Sequence, residues 1–440
     1  MPAAAQPAAL TITSSDPRDA RRTIENVLVG DVWLCSGQSN MYFPLGKYAE
    51  YPGAEGGQEA IASPPDPRLR LLCDDQNPLW KNRGWQSAAP ESRGAFSAVA
   101  YFFGERLRRD LDVPIGLIDV SRGGSAVQRW TPPAFAQRVP LTKRLTESFN
   151  RERARIGEYN QQLAARENAL RAGQKPLPPA PATLPADLMA SRSFSGANAY
   201  ERLIAPMLPY TLRGVVWYQG ESNSGQLDVA QNYAEMFHAL VDGWRDAWGA
   251  PDLPFSFVQL PCWTSGEFWP WTRQSQLIAS RSISHCAMVV CTDVGDAEPL
   301  HPPQKKPIGE RLAAAALART YARSIPWSGP TVARITTDQS AVIVSFDAAN
   351  GAPRVGAFSK GDSVQDVELA GADGVFHPAK VTLAGDRATA RSDRVPAPVA
   401  IRYGWRPVFT PSLVNDAGLP ASGFYFVRDA TDRWSLYAGQ

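Results

Sequence analysis

Serine, histidine, amide and acidic side chains occur in this chain in four short polar blocks that could together hydrolyse an ester. The blocks are GQSNM at 37–41, SRGGS at 121–125, WYQGESN at 217–223 and DVGDAEPLHP at 293–302. A serine hydroxyl becomes an effective nucleophile when a base lies beside it and N–H donors bind the oxyanion that its attack creates. The blocks contain all of these groups, and they therefore indicate ester hydrolysis by a serine.

The nucleophile and the base can be assigned from their positions after predicted strands. Ser39 lies in the turn that follows the apolar run Val27–Leu34, and His301 follows the apolar run Ala287–Thr292 by a short acidic loop. Active sites of open α/β sheets gather at the carboxyl ends of the strands. We therefore predict that Ser39 is the nucleophile and His301 is its general base.

The four blocks, in this order and spacing, resemble those of the SGNH hydrolases, and within them the sialate O-acetylesterase-like carbohydrate esterases. The likeness extends over about residues 25–440, and the pair GQSNM and WYQGESN is its most specific part. The resemblance implies a three-layer α/β/α, flavodoxin-like fold with a parallel sheet. It also implies removal of acetyl groups from sugars through an acetyl-enzyme intermediate, without a metal or organic cofactor. The substrates it suggests are acetylated hemicellulose oligosaccharides or 9-O-acetyl sialic acid.

The acid that orients the histidine is less clearly defined. The resemblance implies an aspartate three residues before the histidine, and this chain has Glu298 there. Glu298 is one methylene longer and could still reach the imidazole, so we favour it over Asp296. Asp293 is a further alternative, although its place at a strand end suits a role in fixing the loop. A Ser–His dyad oriented by a backbone carbonyl is also left open.

The resemblance also implies the groups of the oxyanion hole. These are the backbone N–H of Ser39, a glycine N–H from SRGGS and an amide side chain from WYQGESN. We predict Gly124 as the glycine, with Gly123 as the alternative. The amide is Asn223 or Gln219, and the sequence does not decide between them.

Candidate substrate contacts lie in two of the blocks and in one tryptophan-rich segment. Glu221 is either a buried hydrogen-bonding hub or a substrate contact, and Arg122 stands where the family has a tryptophan. Trp263, Trp269 and Trp271 form a dense aromatic group in CWTSGEFWPWTRQ. Because sugars can stack on aromatic rings, we predict Trp263 and Trp269 as substrate contacts, with core packing as the alternative.

Composition excludes several other classes of function. The 440 residues are 44% apolar with a formal net charge of +2, so neither nucleic acid nor an anionic membrane is an expected partner. No apolar run is long enough to span a bilayer, and the first residues lack the features of a secretory signal. Location outside the cytoplasm is expected only by analogy, and the oligomeric state is open. The five cysteines lack the spacing of a zinc site.

The elements that must position these residues alternate between strand and helix. Apolar, often β-branched runs indicate a parallel sheet covered on both faces. Amphipathic helices are predicted at 98–111, 231–248 and 308–323. The fold class is therefore α/β.

Composition also suggests how the chain is divided. We predict a short N-terminal β remnant at 1–26, a catalytic domain at 27–327 and a smaller antiparallel β region at 328–440. A helical and proline-rich insertion is predicted at about 134–195 within the catalytic domain.

Two other functions fit the same blocks. One is a non-catalytic carbohydrate-binding protein on a hydrolase scaffold, and the other is a short-chain esterase for esters other than those of sugars. The presence of both Ser39 and His301 favours catalysis over binding alone. Activity that falls steeply with acyl length would favour acetyl esters.

Overall fold

The computed structural model describes residues 4–15, 21–74, 84–182, 199–295, 297–347, 351–356 and 363–439. Its first two strands form an exposed antiparallel hairpin, β1 (Ala4–Thr13) and β2 (Arg21–Val29). The predicted strand Val27–Leu34 is therefore wrong as a single element, because its first residues pair with β1 and the rest enter another sheet. The break falls at Gly30, where a Cβ would lie 2.1 Å from the Pro114 carbonyl oxygen.

A seven-stranded sheet forms the centre of the molecule. Its strands are β3 (Asp31–Gly37), β4 (Asp66–Cys73), β5 (Gln86–Ala88), β6 (Ile115–Ser121), β7 (Gly214–Tyr218), β8 (Phe255–Val258) and β9 (Cys286–Val289). They lie in the order β5-β4-β6-β3-β7-β8-β9, and every pairing is parallel except β5 with β4. Strands β6, β7, β8 and β9 are buried at every residue, which explains their continuous apolar runs. Alternate residues of β4 are only partly buried.

The helices follow the strands along the chain. They are α1 (Ser39–Tyr42), α2 (Gly57–Ala62), α3 (Pro90–Arg93), α4 (Ala98–Leu111), α5 (Pro133–Ala136), α6 (Pro140–Arg171), α7 (Leu227–Gln231), α8 (Tyr233–Trp248), α9 (Trp269–Ser282) and α10 (Lys305–Arg319). A π-helical turn at Tyr200–Ile204 and short 3₁₀ turns complete the helical part. Helices α4 and α10 contribute to the apolar cluster on one face of the sheet, and α8 and α9 to the cluster on the other. The predicted three-layer α/β/α class is confirmed.

Local signals explain where two of the long helices begin and end. The Ser97 hydroxyl accepts a hydrogen bond from the Ala100 N–H and caps α4, as its sequence predicted. Helix α8 ends at Gly249, which has a left-handed conformation with φ of 60°. Helix α6 is 32 residues long and mostly exposed, and it forms most of the described part of the predicted insertion. Residues 183–195 of that insertion lie outside the described residues.

The C-terminal part is built from three antiparallel sheets. Its strands are β10 (Val332–Asp338), β11 (Ala341–Phe346), β12 (Arg354–Val355), β13 (Val367–Ala370), β14 (Phe376–Pro378), β15 (Lys380–Ala384), β16 (Arg387–Arg391), β17 (Ala400–Tyr403), β18 (Leu413–Val414), β19 (Phe424–Arg428) and β20 (Trp434–Leu436). The sheets have the orders β10-β11-β16-β15, β14-β13-β17-β19-β20 and β12-β18. The sequence-based domain boundaries remain predictions. No helix among the described residues is both long and apolar enough to cross a bilayer.

Candidate active site

Ser39 lies at the carboxyl end of the central strand β3, where α1 begins. Gly37 pairs with Ser121 on β6 and with Tyr218 on β7, so three of the four blocks reach the same edge of the sheet. A Cβ on Gly37 would lie 2.1 Å from the Tyr218 carbonyl oxygen, and its φ is 140°. Only glycine fits so close a passage of the two chains, and it delivers Ser39 directly above the strand ends.

His301 approaches Ser39 from the loop between β9 and α10. Its Nε2 atom lies 2.8 Å from the Ser39 Oγ atom, which is hydrogen-bonding distance. Ser39 itself is only 7% exposed. The imidazole packs against the Tyr51 ring, with 5.4 Å between ring centroids. The structure therefore brings the predicted nucleophile and base together in the geometry that proton transfer needs.

The surroundings of His301 favour the neutral form of its imidazole. Burial lowers the pKa of His301, and the nearby positive charge of Lys305 lowers it further, whereas the negative charge of Glu50 raises it. The net effect is a pKa below the ordinary value for histidine. A neutral imidazole can accept the proton of Ser39 at neutral pH, as a general base must.

The acidic residues predicted to orient His301 are placed in three different ways. Glu298 is exposed, and its carboxylate accepts a hydrogen bond from the Thr264 hydroxyl. Asp293 forms a bidentate ion pair with Arg311, at 2.5 and 2.6 Å, and so fixes the loop. Asp296 lies outside the described residues. Within the part of the chain that the structure describes, no hydrogen bond or ion pair joins Glu298 to His301.

Glu50 is an acidic residue near His301 that sequence reasoning missed. It stands with Ala49 at the tip of a tight turn, closed by backbone hydrogen bonds of 3.0 and 2.8 Å between Tyr48 and Tyr51. Ala49 has a φ of 48°, which is uncommon for a residue other than glycine. The turn points Glu50 into the same cavity as His301. No local motif marks this residue, because its role depends on a contact between distant parts of the chain.

The glycines of the second block lie beside the nucleophile. A Cβ on Gly123 would be 3.7 Å from the Ser39 Cβ, so the turn runs directly against the serine. Gly124 follows with a φ of 65° and is exposed in the cavity. Ser39 is also the first residue of α1, where a backbone N–H has no acceptor within the helix. The residues whose backbone N–H groups are predicted to hold the oxyanion, Ser39, Gly123 and Gly124, thus all line the same cavity.

The two candidate oxyanion amides differ in how fully they are used by the protein. The Gln219 Nε2 atom lies 3.1, 3.2 and 2.8 Å from acceptors on Gln38, Ser125 and Asn223. An amide nitrogen has only two hydrogens, so Gln219 has no donor left for a substrate. The Asn223 Nδ2 atom donates to Gln128 at 3.0 Å, which accounts for one of its two hydrogens. The geometry therefore favours Asn223 over Gln219.

Asn40, next to the nucleophile, connects three of the blocks. Its Nδ2 atom donates to the Glu221 carboxylate at 2.7 Å and to the Leu300 carbonyl oxygen at 3.1 Å. Its Oδ1 atom accepts from the buried Lys305 ammonium at 2.5 Å. Burial raises the pKa of Glu221 and lowers the pKa of Lys305 to about 7. Asn40 is thus the centre of this network, Glu221 contributes one side-chain hydrogen bond to it, and Leu300 couples it to the neighbouring His301.

A cavity of about 610 Å³ opens over Ser39 and His301. Arg122 lines it and is held by a bidentate pair with Asp74, at 2.6 and 2.9 Å. Glu221 and Trp263 also line it. Trp269 does not, because it is 1% exposed and donates its indole N–H to the Pro261 carbonyl. This corrects the prediction that Trp269 contacts substrate, since its ring faces are covered by protein.

No group of three or more His, Cys, Asp or Glu side chains that could hold a metal ion occurs among the described residues. All five cysteines are buried, and no disulfide joins two of them.

Comparison with known proteins connects this geometry to a family. A family model described as a carbohydrate esterase, sialic acid-specific acetylesterase, matches residues 191–318. The sialate O-acetylesterase of Mus musculus is 27% identical over 346 residues, which cover 71% of this chain and 60% of the mouse protein. The human protein is 25% identical over 346 residues, covering 71% and 58%. This chain thus spans less than two thirds of the length of these curated relatives.

A solved structure extends the likeness over most of the chain. A carbohydrate acetylesterase from Xanthomonas citri superposes with a TM-score of 0.73 at 31% sequence identity. The match covers 93% of this chain and 83% of the Xanthomonas chain. The resemblance inferred from the four blocks is confirmed, and the chain belongs to the sialate O-acetylesterase-like family of SGNH carbohydrate esterases.

Proposed function

We propose that this chain is a serine esterase that removes O-acetyl groups from carbohydrates. The observation that carries the proposal is the 2.8 Å contact between the Ser39 Oγ and His301 Nε2 atoms at the base of an open cavity. The glycine turn beside Ser39 supplies N–H donors for an oxyanion. The family supports both the acetyl group and the sugar, since its related proteins are described as acetylesterases of carbohydrates or sialate.

The first half of the reaction forms an acetyl-enzyme. The Ser39 oxygen attacks the acetyl carbonyl carbon while the His301 Nε2 atom takes the hydroxyl proton. The resulting oxyanion is held by the N–H groups of Ser39 and of Gly123 or Gly124, with the Asn223 amide as the side-chain donor. His301 then gives its proton to the sugar oxygen as the C–O bond breaks, and the free sugar hydroxyl leaves.

The second half regenerates the serine. A water molecule attacks the acetyl carbon, and the His301 Nε2 atom accepts one of its protons. The tetrahedral intermediate collapses, the same proton returns to the Ser39 oxygen, and acetate leaves. Neither half requires a cofactor. Loss of one oxyanion donor typically lowers kcat by about 10²–10³-fold, so Asn223→Ala should fall in that range if Asn223 is such a donor.

For His301, we propose that packing and backbone contacts provide most of the orientation. The ring rests on Tyr51, and the Asn40 side chain holds the carbonyl of the preceding Leu300. Glu298 is engaged by Thr264 instead. A Glu298→Ala variant should therefore keep kcat within about tenfold of wild type, far from the ~10⁴-fold loss seen when a triad acid is replaced. A loss near 10⁴-fold would establish a Ser–His–Glu triad.

The test of the function uses p-nitrophenyl acetate and butyrate together with acetylated sugars. The wild type should prefer acetate to butyrate and release acetate from an acetylated sugar, and Ser39→Ala should abolish both reactions. Ser222→Ala is a matched control, because Ser222 lines the same cavity without contacting His301. Absence of turnover in the wild type would favour a carbohydrate-binding protein. Turnover of p-nitrophenyl acetate with none of any acetylated sugar would favour a non-sugar esterase.

By analogy with enzymes that act on exported glycans, we further propose a location outside the cytoplasm. Fractionation of native cells, followed by detection of the protein with an antibody, tests this. Recovery with cytoplasmic markers would contradict it.

A further inference from the structure

Five half-buried aromatic side chains connect the catalytic cavity with the C-terminal β region. They come from the segment before α9, from α9 itself, from the loop after β17, from β19 and from the chain after β20. We call them the aromatic strip: Trp263, Trp271, Trp405, Tyr425 and Tyr437. The strip thus combines residues of the catalytic part with residues of the C-terminal β region.

Ring contacts connect the outer four members. The ring centroids of Trp271 and Trp405 are 4.9 Å apart, those of Trp405 and Tyr425 are 5.1 Å apart, and those of Tyr425 and Tyr437 are 4.6 Å apart. The fifth member, Trp263, lines the cavity above Ser39. The backbone N–H of Trp263 donates to the Pro407 carbonyl, which belongs to the same loop as Trp405. The Trp271 centroid also lies 5.7 Å from that of Tyr437 and 6.3 Å from that of Tyr425, so these four rings form a compact cluster. The strip therefore consists of one ring in the catalytic cavity and a four-ring cluster that a backbone hydrogen bond joins to it.

The polar edges of the strip distinguish it from the aromatic core. Seven other tryptophans donate their indole N–H to protein acceptors: Trp33, Trp130, Trp217, Trp244, Trp248, Trp269 and Trp434. Among the described residues, no acceptor is found for the indole N–H of Trp263, Trp271 or Trp405. The same holds for the hydroxyls of Tyr425 and Tyr437. None of these groups is a buried atom lacking a partner, so all five reach solvent.

We propose that the aromatic strip binds the sugar chain that carries the acetyl ester, so that the enzyme acts on an oligosaccharide or polysaccharide. This proposal rests on the proposed function and defines its substrate class. A ring face can cover the apolar face of a sugar while the N–H or O–H at its edge bonds to sugar hydroxyls. The continuity with Trp263 allows one chain to lie on the strip and to place an acetylated residue at Ser39.

The first test is the dependence of the wild-type rate on chain length. Chemically acetylated xylo-, cello- and manno-oligosaccharides of one and six sugars are compared by acetate release. We expect kcat/KM for the hexasaccharide of at least one series to exceed that for the monosaccharide by about tenfold or more. Equal values in all three series, or faster release from 9-O-acetyl sialic acid than from every hexasaccharide, would overturn the proposal.

The second test locates the effect on the strip. Trp405→Ala should lower kcat/KM on the hexasaccharide about tenfold, through KM, and should lower it less on p-nitrophenyl acetate. Trp327→Ala is the matched control, because Trp327 is also half-buried but lies with Arg319 in a different cavity. Equal losses on both substrates, or no loss on the hexasaccharide, would overturn the strip. Trp405→Phe repeats the test if the alanine variant does not fold.

A measurement of sugar binding shows whether the strip binds sugar independently of whether the protein hydrolyses acetyl esters. Calorimetry with Ser39→Ala and the unacetylated hexasaccharides measures the affinity of the strip for sugar in the absence of catalysis. Binding that Trp405→Ala weakens about tenfold supports the strip even if the wild type hydrolyses no acetyl ester. Active hydrolysis by the wild type without binding of any hexasaccharide would overturn the strip and leave the esterase intact.

Discussion

Glu50 and Lys305 act on the His301 imidazole in opposite directions. Glu50 reaches the cavity from a turn near the start of the chain, and Lys305 lies buried at the start of α10. The negative charge of Glu50 raises the pKa of His301, whereas burial and the charge of Lys305 lower it. The pKa of the catalytic imidazole therefore depends first on its burial and then on the charges of these two residues.

The first prediction concerns the pH dependence of activity. A general base works when deprotonated, so kcat/KM should rise with pH through the pKa of His301, with a midpoint below the ordinary value of about 6.5. Glu50→Gln removes the charge that raises this pKa, so the midpoint should move to lower pH. The measurement is the pH profile of p-nitrophenyl acetate hydrolysis.

Glu59→Gln is the control for that profile. Glu59 is an exposed glutamate in the first turn of α2, and it is not among the charges that shift the pKa of His301. Its profile should coincide with that of the wild type. A Glu50→Gln midpoint at or above the wild-type midpoint would show that Glu50 does not act on His301 through its charge.

The second prediction concerns the link between the nucleophile and the base. Asn40→Asp replaces a donor by an oxygen that faces Glu221 at 2.7 Å and the Leu300 carbonyl at 3.1 Å. Loss of both bonds should let the His301 loop move, and a displacement of 1 Å can cost about 10²-fold in rate. We therefore expect kcat for p-nitrophenyl acetate to fall about 10²-fold.

A second substitution can restore the bond. Glu221→Gln supplies an amide N–H that can donate to the new carboxylate of Asn40→Asp, so the double variant should recover part of the lost activity. A double-mutant cycle with the four proteins measures this coupling. Additive losses, or a fully active Asn40→Asp enzyme, would show that Asn40 does not hold the two blocks together.

Some of these residues could be predicted from sequence and others could not. Ser39 and His301 each follow a strand within a local motif, and a local pattern is sufficient to find them. The bonds of Asn40 to Glu221 and Lys305 cross 181 and 265 residues of chain, and only the folded structure brings those partners together. The sequence predicts Trp269 as a substrate contact because residue type alone does not show that folding buries both faces of its ring.

At the scale of elements, the close contact of α4 with α10 depends on a glycine. A Cβ on Gly309 of α10 would lie 2.7 Å from the Val99 carbonyl oxygen, 2.8 Å from the Phe102 Cβ atom and 2.9 Å from the Phe103 nitrogen. Two of these atoms belong to the backbone of α4, which cannot rotate away. The two helices therefore pack closer than any side chain at this position would allow.

The third prediction compares two glycines in helices. Gly309→Ala should lower the free energy of unfolding by about 1–3 kcal/mol, the usual cost of overpacking. Gly157→Ala in the exposed helix α6 should instead raise it by about 0.5–1 kcal/mol, because nothing lies within 4 Å of the added Cβ. Urea unfolding of the three proteins measures both. A stabilising Gly309→Ala would show that the two helices can separate at little cost.

Sequence patterns predict an element correctly when all of its residues belong to one helix or one sheet. They fail where a single apolar run is divided between two sheets. The predicted helix 98–111 matches α4, since its N-cap and apolar face are both local. The run Val27–Leu34 is equally apolar, yet its two halves join different sheets. The turn at Gly30 follows from the nearby Pro114, a contact across the sheet that no local pattern reveals.

At the scale of the whole molecule, the C-terminal β region and the α/β sheet share one apolar cluster. It includes Leu277 from α9, Met288 from β9, Ile335 from β10 and Phe426 from β19. Polar side chains reinforce the contact, because Gln259 donates to the Ser422 hydroxyl at 2.7 Å. We expect such an arrangement to make the two regions unfold together.

Gln274 of α9 makes three hydrogen bonds between these regions. It is 2% exposed, and its Nε2 atom donates to the carbonyls of Tyr425 and Tyr437 at 2.7 and 3.0 Å. Its Oε1 atom accepts from the Tyr425 N–H at 3.1 Å. One amide thus satisfies three backbone groups of the C-terminal sheet, and a side chain without polar atoms would satisfy none of them.

The fourth prediction tests this contact with two neighbouring glutamines. Gln274→Met keeps the size of the side chain but removes the partner of the Tyr425 N–H and of the Tyr437 carbonyl, at about 1–3 kcal/mol for each group that stays buried. The Tyr425 carbonyl still accepts from the Tyr437 N–H at 2.9 Å. Calorimetry should then show the C-terminal region unfolding before the rest, and hydrogen exchange should become faster in β19.

Gln276→Met is the control, because the buried Gln276 bonds to Gln219, Val258 and Leu260 within the catalytic part. It should lower the stability of the whole chain while keeping one transition. A single transition in Gln274→Met, with unchanged exchange in β19, would show that the apolar cluster alone couples the two regions.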